Sequence, residues 1–377
     1  MQFDLIFEGG GAKGIVFVGA LQEFEARGHT ARRFVGTSAG AITATLMAAG
    51  YTSDEMLAAV NEKLPNGKPR FSTFMDIPDH FEMQDIRNSL TYTIFKKVDL
   101  AWIPEMIEGK IDERIFTQLM KPDAYREIFS FVEMGGLYEG KKFLEWIREK
   151  LDAGGRNLGN TTLAEFQVKT GSDLSLVASD TVGQEMLVLN YRTAPDCPVA
   201  WGVRMSMSIP FVWQEVRWKP EWGWYRGRDI SGHEIVDGGV LSNFPLYLIT
   251  AKDDEEVRAI MGDTDPDVVP NLGLLIDEMK PVADSGEAEE AKGTEKVTGG
   301  LLENVMRLKT IQRIKRLANT MTNAHDKPVM EGHKEEVCRL PAKGYGTTEF
   351  DMSDVRLQSL IRAGRKAMQE YLDARPL

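Results

Sequence analysis

Three short glycine-bearing segments of this chain place groups that can do chemistry. The first, Gly36-Thr37-Ser38-Ala39-Gly40, has the form G-x-S-x-G. Between a strand and a helix, that pattern holds a serine hydroxyl on a tight, strained turn from which it attacks a carbonyl carbon. Gly36 and Gly40 are needed because Cβ atoms do not fit beside such a nucleophile. The N-terminus of the following helix favours negative charge developing at Ser38. The second segment, Gly9-Gly10-Gly11-Ala12-Lys13-Gly14, fits G-x-G-x-x-G. A dinucleotide-binding unit with that loop wants an acidic residue about 20 positions on, at the end of the next strand. Here that strand ends in the serine turn instead. Nor is it a Walker A loop, since Gly14 rather than Ser or Thr follows Lys13. It reads better as a nest of backbone N–H groups, led by Gly10 and Gly11, that holds an oxyanion beside Ser38. The third segment is Asp237-Gly238-Gly239. An Asp-Gly-Gly turn alone is usually only a turn; beside the other two, Asp237 becomes the leading candidate for the base that takes the Ser38 proton.

Two rival readings compete. The order Ser38, Asp237, then His325 or His333 fits the Ser-His-Asp triad of α/β-hydrolases. That fold builds several strands before its nucleophile, however, and position 38 comes too early; both histidines also lie in polar, loop-like surroundings. The other rival is a non-enzymatic nucleotide-binding module using residues 9–14. Neither His29, His80 and His233 nor Cys197 and Cys338 show metal-ligand spacing, so no metal site is expected.

The elements that must position these groups follow from the hydrophobic pattern. Residues 3–7 form a short apolar strand running into the first glycine loop, and helical spacing through Val16, Ala20, Leu21 and Phe24 ends at Gly28. Residues 33–35 form a second strand ending in the serine turn, and a helix over 41–49 stops at Gly50. Two strand–loop–helix units in succession predict a three-layer α/β domain around a central, mostly parallel sheet. Strands are also expected at 174–179 and 186–191, joined as a hairpin, and at 233–236 and 271–276. Residues 65–155 read as an inserted, largely helical cap in which Phe71, Phe74, Phe95 and Trp102 could form a lid. Residues 279–299 hold almost no large apolar side chains and read as a mobile, acidic loop. Helices are expected at 301–321 and 354–372. With no repeat, the whole of 1–377 reads as one catalytic domain.

Composition narrows the partners. The chain of 377 residues is 42% hydrophobic and 27% charged, with a formal charge of −12. That balance argues against nucleic acid and against broad capture by anionic lipid, so any membrane contact is expected to be local and apolar. No apolar run is long enough for a transmembrane helix, and the N-terminus is no Sec signal. Two cysteines make no disulfide framework and suit a cytoplasmic enzyme with half-buried thiols; delivery into another cell by a non-Sec route would leave the same signature. Trp201, Trp213, Trp218, Trp222 and Trp224 cluster before Asp237. They read first as core and second as an acyl pocket or bilayer anchor. The basic run Arg313-Ile314-Lys315-Arg316 reads first as a solvated face and second as a local contact for anionic headgroups.

Together these blocks carry a resemblance. The loop at 9–14, Gly-Thr-Ser-Ala-Gly at 36–40, and Asp-Gly-Gly with a downstream Asn243-Phe244-Pro245 resemble the patatin-like phospholipases. Met205-Ser206-Met207-Ser208-Ile209-Pro210 is similar to that family's Ser-x-Ser/Ala-x-Pro block. Tyr345-Gly346-Thr347-Thr348-Glu349-Phe350-Asp351 looks like bacterial members. The resemblance covers residues 1–50, 173–276 and part of the C-terminus, in the family's order, and leaves the insertion unmatched. It implies a Ser38–Asp237 dyad that hydrolyses acyl esters of phospholipids or lysophospholipids at a membrane surface, without metal or cofactor. In that scheme amides of Gly9, Gly10, Gly11 and Ala12 form the oxyanion hole, and Gly238 and Gly239 support the aspartate. An activating ligand or partner is left open.

Overall fold

The computed structural model describes residues 1–97, 121–251, 253–263, 269–283 and 308–375. The chain enters at once as β1 (Gln2–Phe7). The first glycine loop tightens into a 3₁₀ turn at Gly11–Ile15, which continues as α1 (Val16–Ala26). Gly28 follows with φ +72°, the left-handed stop expected after a helix C-cap. Then come β2 (Thr30–Thr37), α2 (Ala39–Ala48) and α3 (Ser53–Val60).

The segment 65–155 begins with a 3₁₀ turn at Arg70–Phe74 and short helices at Met83–Asn88 and Leu90–Lys97. It resumes with helix Asp123–Glu133, strand β3 (Gly136–Tyr138) and helix Lys141–Asp152. The sheet continues with β4 (Asp173–Asp180) and β5 (Glu185–Leu189), and helix Val199–Ser206 leads to β6 (Phe211–Trp213). Next are β7 (Val216–Arg217), β8 (Glu234–Asp237), β9 (Asn271–Pro281) and β10 (Val337–Lys343). Helix Lys309–Gly332 precedes β10, and helix Asp354–Asp373 closes the fold.

Eight strands form the main sheet in the order β10-β9-β1-β2-β4-β8-β7, with β5 also on β4. The pairs from β10 through β4 are parallel, whereas β5, β8 and β7 join antiparallel. Alternation along the strands builds the layers. Leu5, Phe7 and Phe34 enter a large core with α1, α2 and the closing helix. Ile6 and Val35 face a smaller one with Leu248, Ile249, Val257 and Ile260. The result is a three-layer α/β/α fold. A second, two-stranded sheet pairs β3, from the segment 65–155, with β6, so that segment is built into the body that carries the candidate site.

Several expectations are corrected. The segment from Met279 begins as strand, since β9 runs to Pro281; the rest of that expected loop, 284–299, lies outside the described residues. The basic helix continues to Gly332 with Pro328 inside it, so His325 is helical rather than in a loop. Its far half is bound to the turn after Asp237, and those contacts override weak local propensity. Strand β10 was unforeseen; it is an edge strand, where Pro341 is tolerated. Cys197 and Cys338 are fully buried, and burial pushes both thiols up. Trp213, Trp218 and Trp222 are core, whereas Trp224 is 61% exposed. Phe71 and Phe74 pack around Trp146; the lid reading of Phe95 and Trp102 falls outside the described side chains. Among the described residues, no helix is long and apolar enough to cross a membrane.

Candidate active site

Strands β2 and β8 share one edge of β4 and run toward each other along it. The last paired residue of β2, Thr37, sits opposite Val177, while Asp237 sits opposite Ala178. Their C-terminal ends therefore meet head-on at consecutive residues of β4, which brings Ser38 and Asp237 together across a long stretch of chain.

Ser38 has φ +53° and ψ −120° and stands at the N-cap of α2 without capping it. A serine in the ordinary N-cap conformation would spend its oxygen on the helix amides. This twist leaves the hydroxyl uncommitted, at a strain cost of order 1–3 kcal/mol. The flanking glycines permit the turn: a Cβ on Gly36 would lie 2.3 Å from the Gly40 carbonyl oxygen, and one on Gly40 2.2 Å from that of Phe7.

Asp237 is 4% exposed. Its Oδ1 accepts the Gly239 N–H at 2.7 Å, while Oδ2 is buried with no hydrogen-bond partner among the described residues. Burial pushes this carboxyl up to about 7, against the opposing pull of the Ser38 hydroxyl and the Gly239 N–H. The hydroxyl thus stands near enough to favour the carboxylate without completing a well-formed hydrogen bond. Hydrogen bonds between a serine and a carboxylate often close fully only around a ligand.

The Ser-x-Ser-x-Pro block serves both groups. The Ser38 N–H donates to Ser206 Oγ (3.0 Å), whose hydroxyl donates to the Val177 carbonyl (2.6 Å). The Asp237 N–H donates to the Ser208 carbonyl at 2.9 Å. Buried Arg204 holds the block in place through the Ser208 hydroxyl and the carbonyls of Glu139 and Gln214. Sequence reasoning found this block only by family likeness and assigned it no task.

The glycine loop needs a correction. The Gly9 N–H donates to the Asn243 carbonyl (3.0 Å) and the Ala12 N–H to the Thr347 carbonyl (2.8 Å). Both are spent on the protein itself, so of the four expected donors only the amides of Gly10 and Gly11 have no acceptor among the described residues. The loop is tethered at several points. Asn243 Nδ2 donates to the Gly9 carbonyl (2.9 Å) and to Glu8 Oε1 (3.1 Å), and Glu8 Oε2 accepts the Ile276 N–H (2.6 Å). Burial pushes Glu8 up to about 8. Lys13 is buried and ion-pairs with Glu278. Asn243 and Thr347 stand in the sequence only as parts of family-like blocks with no task assigned, and Glu8, directly before the glycines, carries no expectation at all.

No described histidine side chain joins this group. His333 bonds Glu336 and His233 bonds Asp180, both at 2.7 Å. His325 is on the helix Lys309–Gly332, and its side chain lies outside those described.

Ser38 opens on a largely apolar cavity. It runs along α2 past Ala39, Ile42 and Leu46 toward Phe71 and Trp146. Such walls suit an acyl chain rather than the polyphosphate of a nucleotide.

The family model that matches this chain places it in the class of lipid ester hydrolases. More narrowly, the chain belongs to the patatin-like phospholipase family, whose model matches residues 5–249. It is 28% identical over 380 residues to the uncharacterized protein YqhO of Bacillus subtilis (strain 168), spanning 99% of this chain and 98% of that one. It is 20% identical over 242 residues to the probable lipid hydrolase 463L of Invertebrate iridescent virus 6, spanning 64% of this chain and 61% of that protein. The crystal structure of VipD from Legionella pneumophila matches with a TM-score of 0.47 and 16% identity, over 99% of this chain and 67% of that one.

Proposed function

We propose that this chain is a phospholipase A-like acyl hydrolase that cleaves fatty-acyl esters of phospholipids or lysophospholipids through a Ser38–Asp237 dyad. The observation that carries the reading is the buried, unpartnered Oδ2 of Asp237 beside the uncommitted Ser38 hydroxyl. An ordinary aspartate is too weak a base at neutral pH. One held at about 7 matches the task.

Ser38 Oγ attacks the ester carbonyl carbon while its proton passes to Asp237. The carbonyl oxygen becomes an oxyanion that accepts from the Gly10 and Gly11 N–H groups, supported by the N-terminus of α2. As the tetrahedral species collapses, the alcohol of the lipid leaves with the proton from Asp237, and the acyl group stays on Ser38. Water then gives a proton to Asp237 and attacks the acyl carbon. The fatty acid departs as the proton returns to Ser38. The apolar cavity along α2 takes the acyl chain, residues 65–155 act as its cap, and 1–377 works as one catalytic domain.

The test is lipid mass spectrometry on mixed phospholipids incubated with wild type, Ser38→Ala and Asp237→Asn. Fatty acid and lysolipid should appear with wild type alone, and a fluorophosphonate probe should label wild type but not Ser38→Ala. Equal product profiles in all three would overturn the proposal. Activity lost in His325→Ala or His333→Ala but kept in Asp237→Asn would replace the dyad with a triad.

A further inference from the structure

The helix Lys309–Gly332 changes character along its length. Its C-terminal half grips the turn that follows Asp237. The Thr322 hydroxyl donates to the carbonyls of Gly239 (2.9 Å) and Val240 (3.1 Å). Asp326 accepts from the Ser242 hydroxyl (2.7 Å) and from the N–H groups of Asn243 (2.8 Å) and Phe244 (2.9 Å).

The N-terminal half does little of this. Ile311 is buried, but Ile314 is 43% and Leu317 65% exposed. Lys309, Arg313 and Arg316 are exposed as well, and no ion pair among the described residues uses them. Residues 308–325 hold four basic side chains and no acidic one, in a chain whose formal charge is −12. At about 100° per residue, Leu317 sits roughly 140° around the helix from Thr322 and faces away from the body of the protein. Arg313 lies one turn before it, on the same side.

We infer that the outward face at the N-terminal half of this helix docks the protein on anionic bilayers. Ile314 and Leu317 would enter the acyl boundary while Lys309, Arg313 and Arg316 meet lipid phosphates. A nucleic acid or a flexible polyacidic chain would satisfy the cations but leave the two exposed aliphatic side chains in water; a bilayer satisfies both. Because the other half of the helix holds the Asp237 turn, docking sets the site close to the lipid surface. The inference does not rest on the dyad, since binding needs no turnover.

The experiment is vesicle flotation of the full chain in the Ser38→Ala background. Phosphatidylcholine vesicles are compared with vesicles that also contain phosphatidylserine. Binding should require phosphatidylserine and weaken with salt. Arg313→Gln/Arg316→Gln should lower partition about 25-fold, at roughly fivefold for each cation. Ile314→Ser/Leu317→Ser should lower it too. With Ser38 intact, both double variants should hydrolyse a soluble, monomeric short-chain ester at the wild-type rate and lose activity only on anionic vesicles. Equal flotation of wild type and variants would overturn the inference. So would equal binding to phosphatidylcholine alone, or retention on RNA or polyglutamate without vesicle binding.

Discussion

Asp237 is held in a state its own charge disfavours, and replacing it with asparagine should expose the cost. Burial raises this carboxyl from 3.8 to about 7. The difference of about 3 units, at 1.36 kcal/mol each, is on the order of 4 kcal/mol. The folded protein holds the proton more tightly than the unfolded chain, so the penalty is absent below the unfolded value. It grows as pH rises and is complete above the folded value. Asparagine never ionises and can still accept the Gly239 N–H. Asp237→Asn should therefore be more stable than wild type by about 4 kcal/mol near pH 8.5 and by about 1.5 kcal/mol near pH 5. Glu8, raised to about 8 by its own burial, adds a trend of the same sign to both proteins and cancels in the difference. Urea unfolding of the two proteins at both pH values measures it, alongside an ester assay in which the variant should be inactive. A stability difference that does not change with pH would refute the claim that this carboxylate is strained by its burial.

Three further outcomes follow from the geometry. Gly40→Ala drives a Cβ to 2.2 Å from the Phe7 carbonyl oxygen and should cost about 3 kcal/mol, read as a drop in Tm; an unchanged Tm would contradict the tight packing of the serine turn. Ser206→Ala strips the Ser38 N–H of its acceptor and should lower stability by about 1–3 kcal/mol. It should also slow kcat and fluorophosphonate labelling while leaving KM near wild type. Ile42→Phe narrows the cavity beside Ser38, so long-chain esters should lose more kcat/KM than short-chain ones; a uniform change would place the acyl chain elsewhere.

Much of the site could be read from one-dimensional pattern because its parts are locally determined. A serine at positive φ needs close-packed glycines, and a glycine nest needs several glycines in a row; both signatures are contiguous. What lay beyond reach depended on contacts between distant segments. The expected oxyanion loop spanned residues 9–12, yet Asn243 and Thr347 consume the outer two amides; no local signal reports that. The sequence pattern ends the basic helix at Met321, because Asn323-Ala324-His325-Asp326 reads as a loop, whereas the helix runs to Gly332. Thr322 and Asp326 pay for its continuation through their bonds to the turn at 239–244. Strand β10 carries no strand signature in sequence, because a proline in an edge strand breaks the pattern that marks interior strands.

The abutting strand ends on β4 have a consequence for how such a protein can diverge. Val177 and Ala178 act as a jig on which two remote pieces of chain are clamped. A slip of one residue in either ladder would move Ser38 or Asp237 by about 3.3 Å and turn it to the opposite face. The segments that loop out between those clamps, apart from the 204–208 block that bonds both Ser38 and Asp237, can lengthen, shorten or be replaced without disturbing that pair. Variation in substrate preference should therefore gather in the insertion, whereas a residue gained or lost within β4 should silence the enzyme outright.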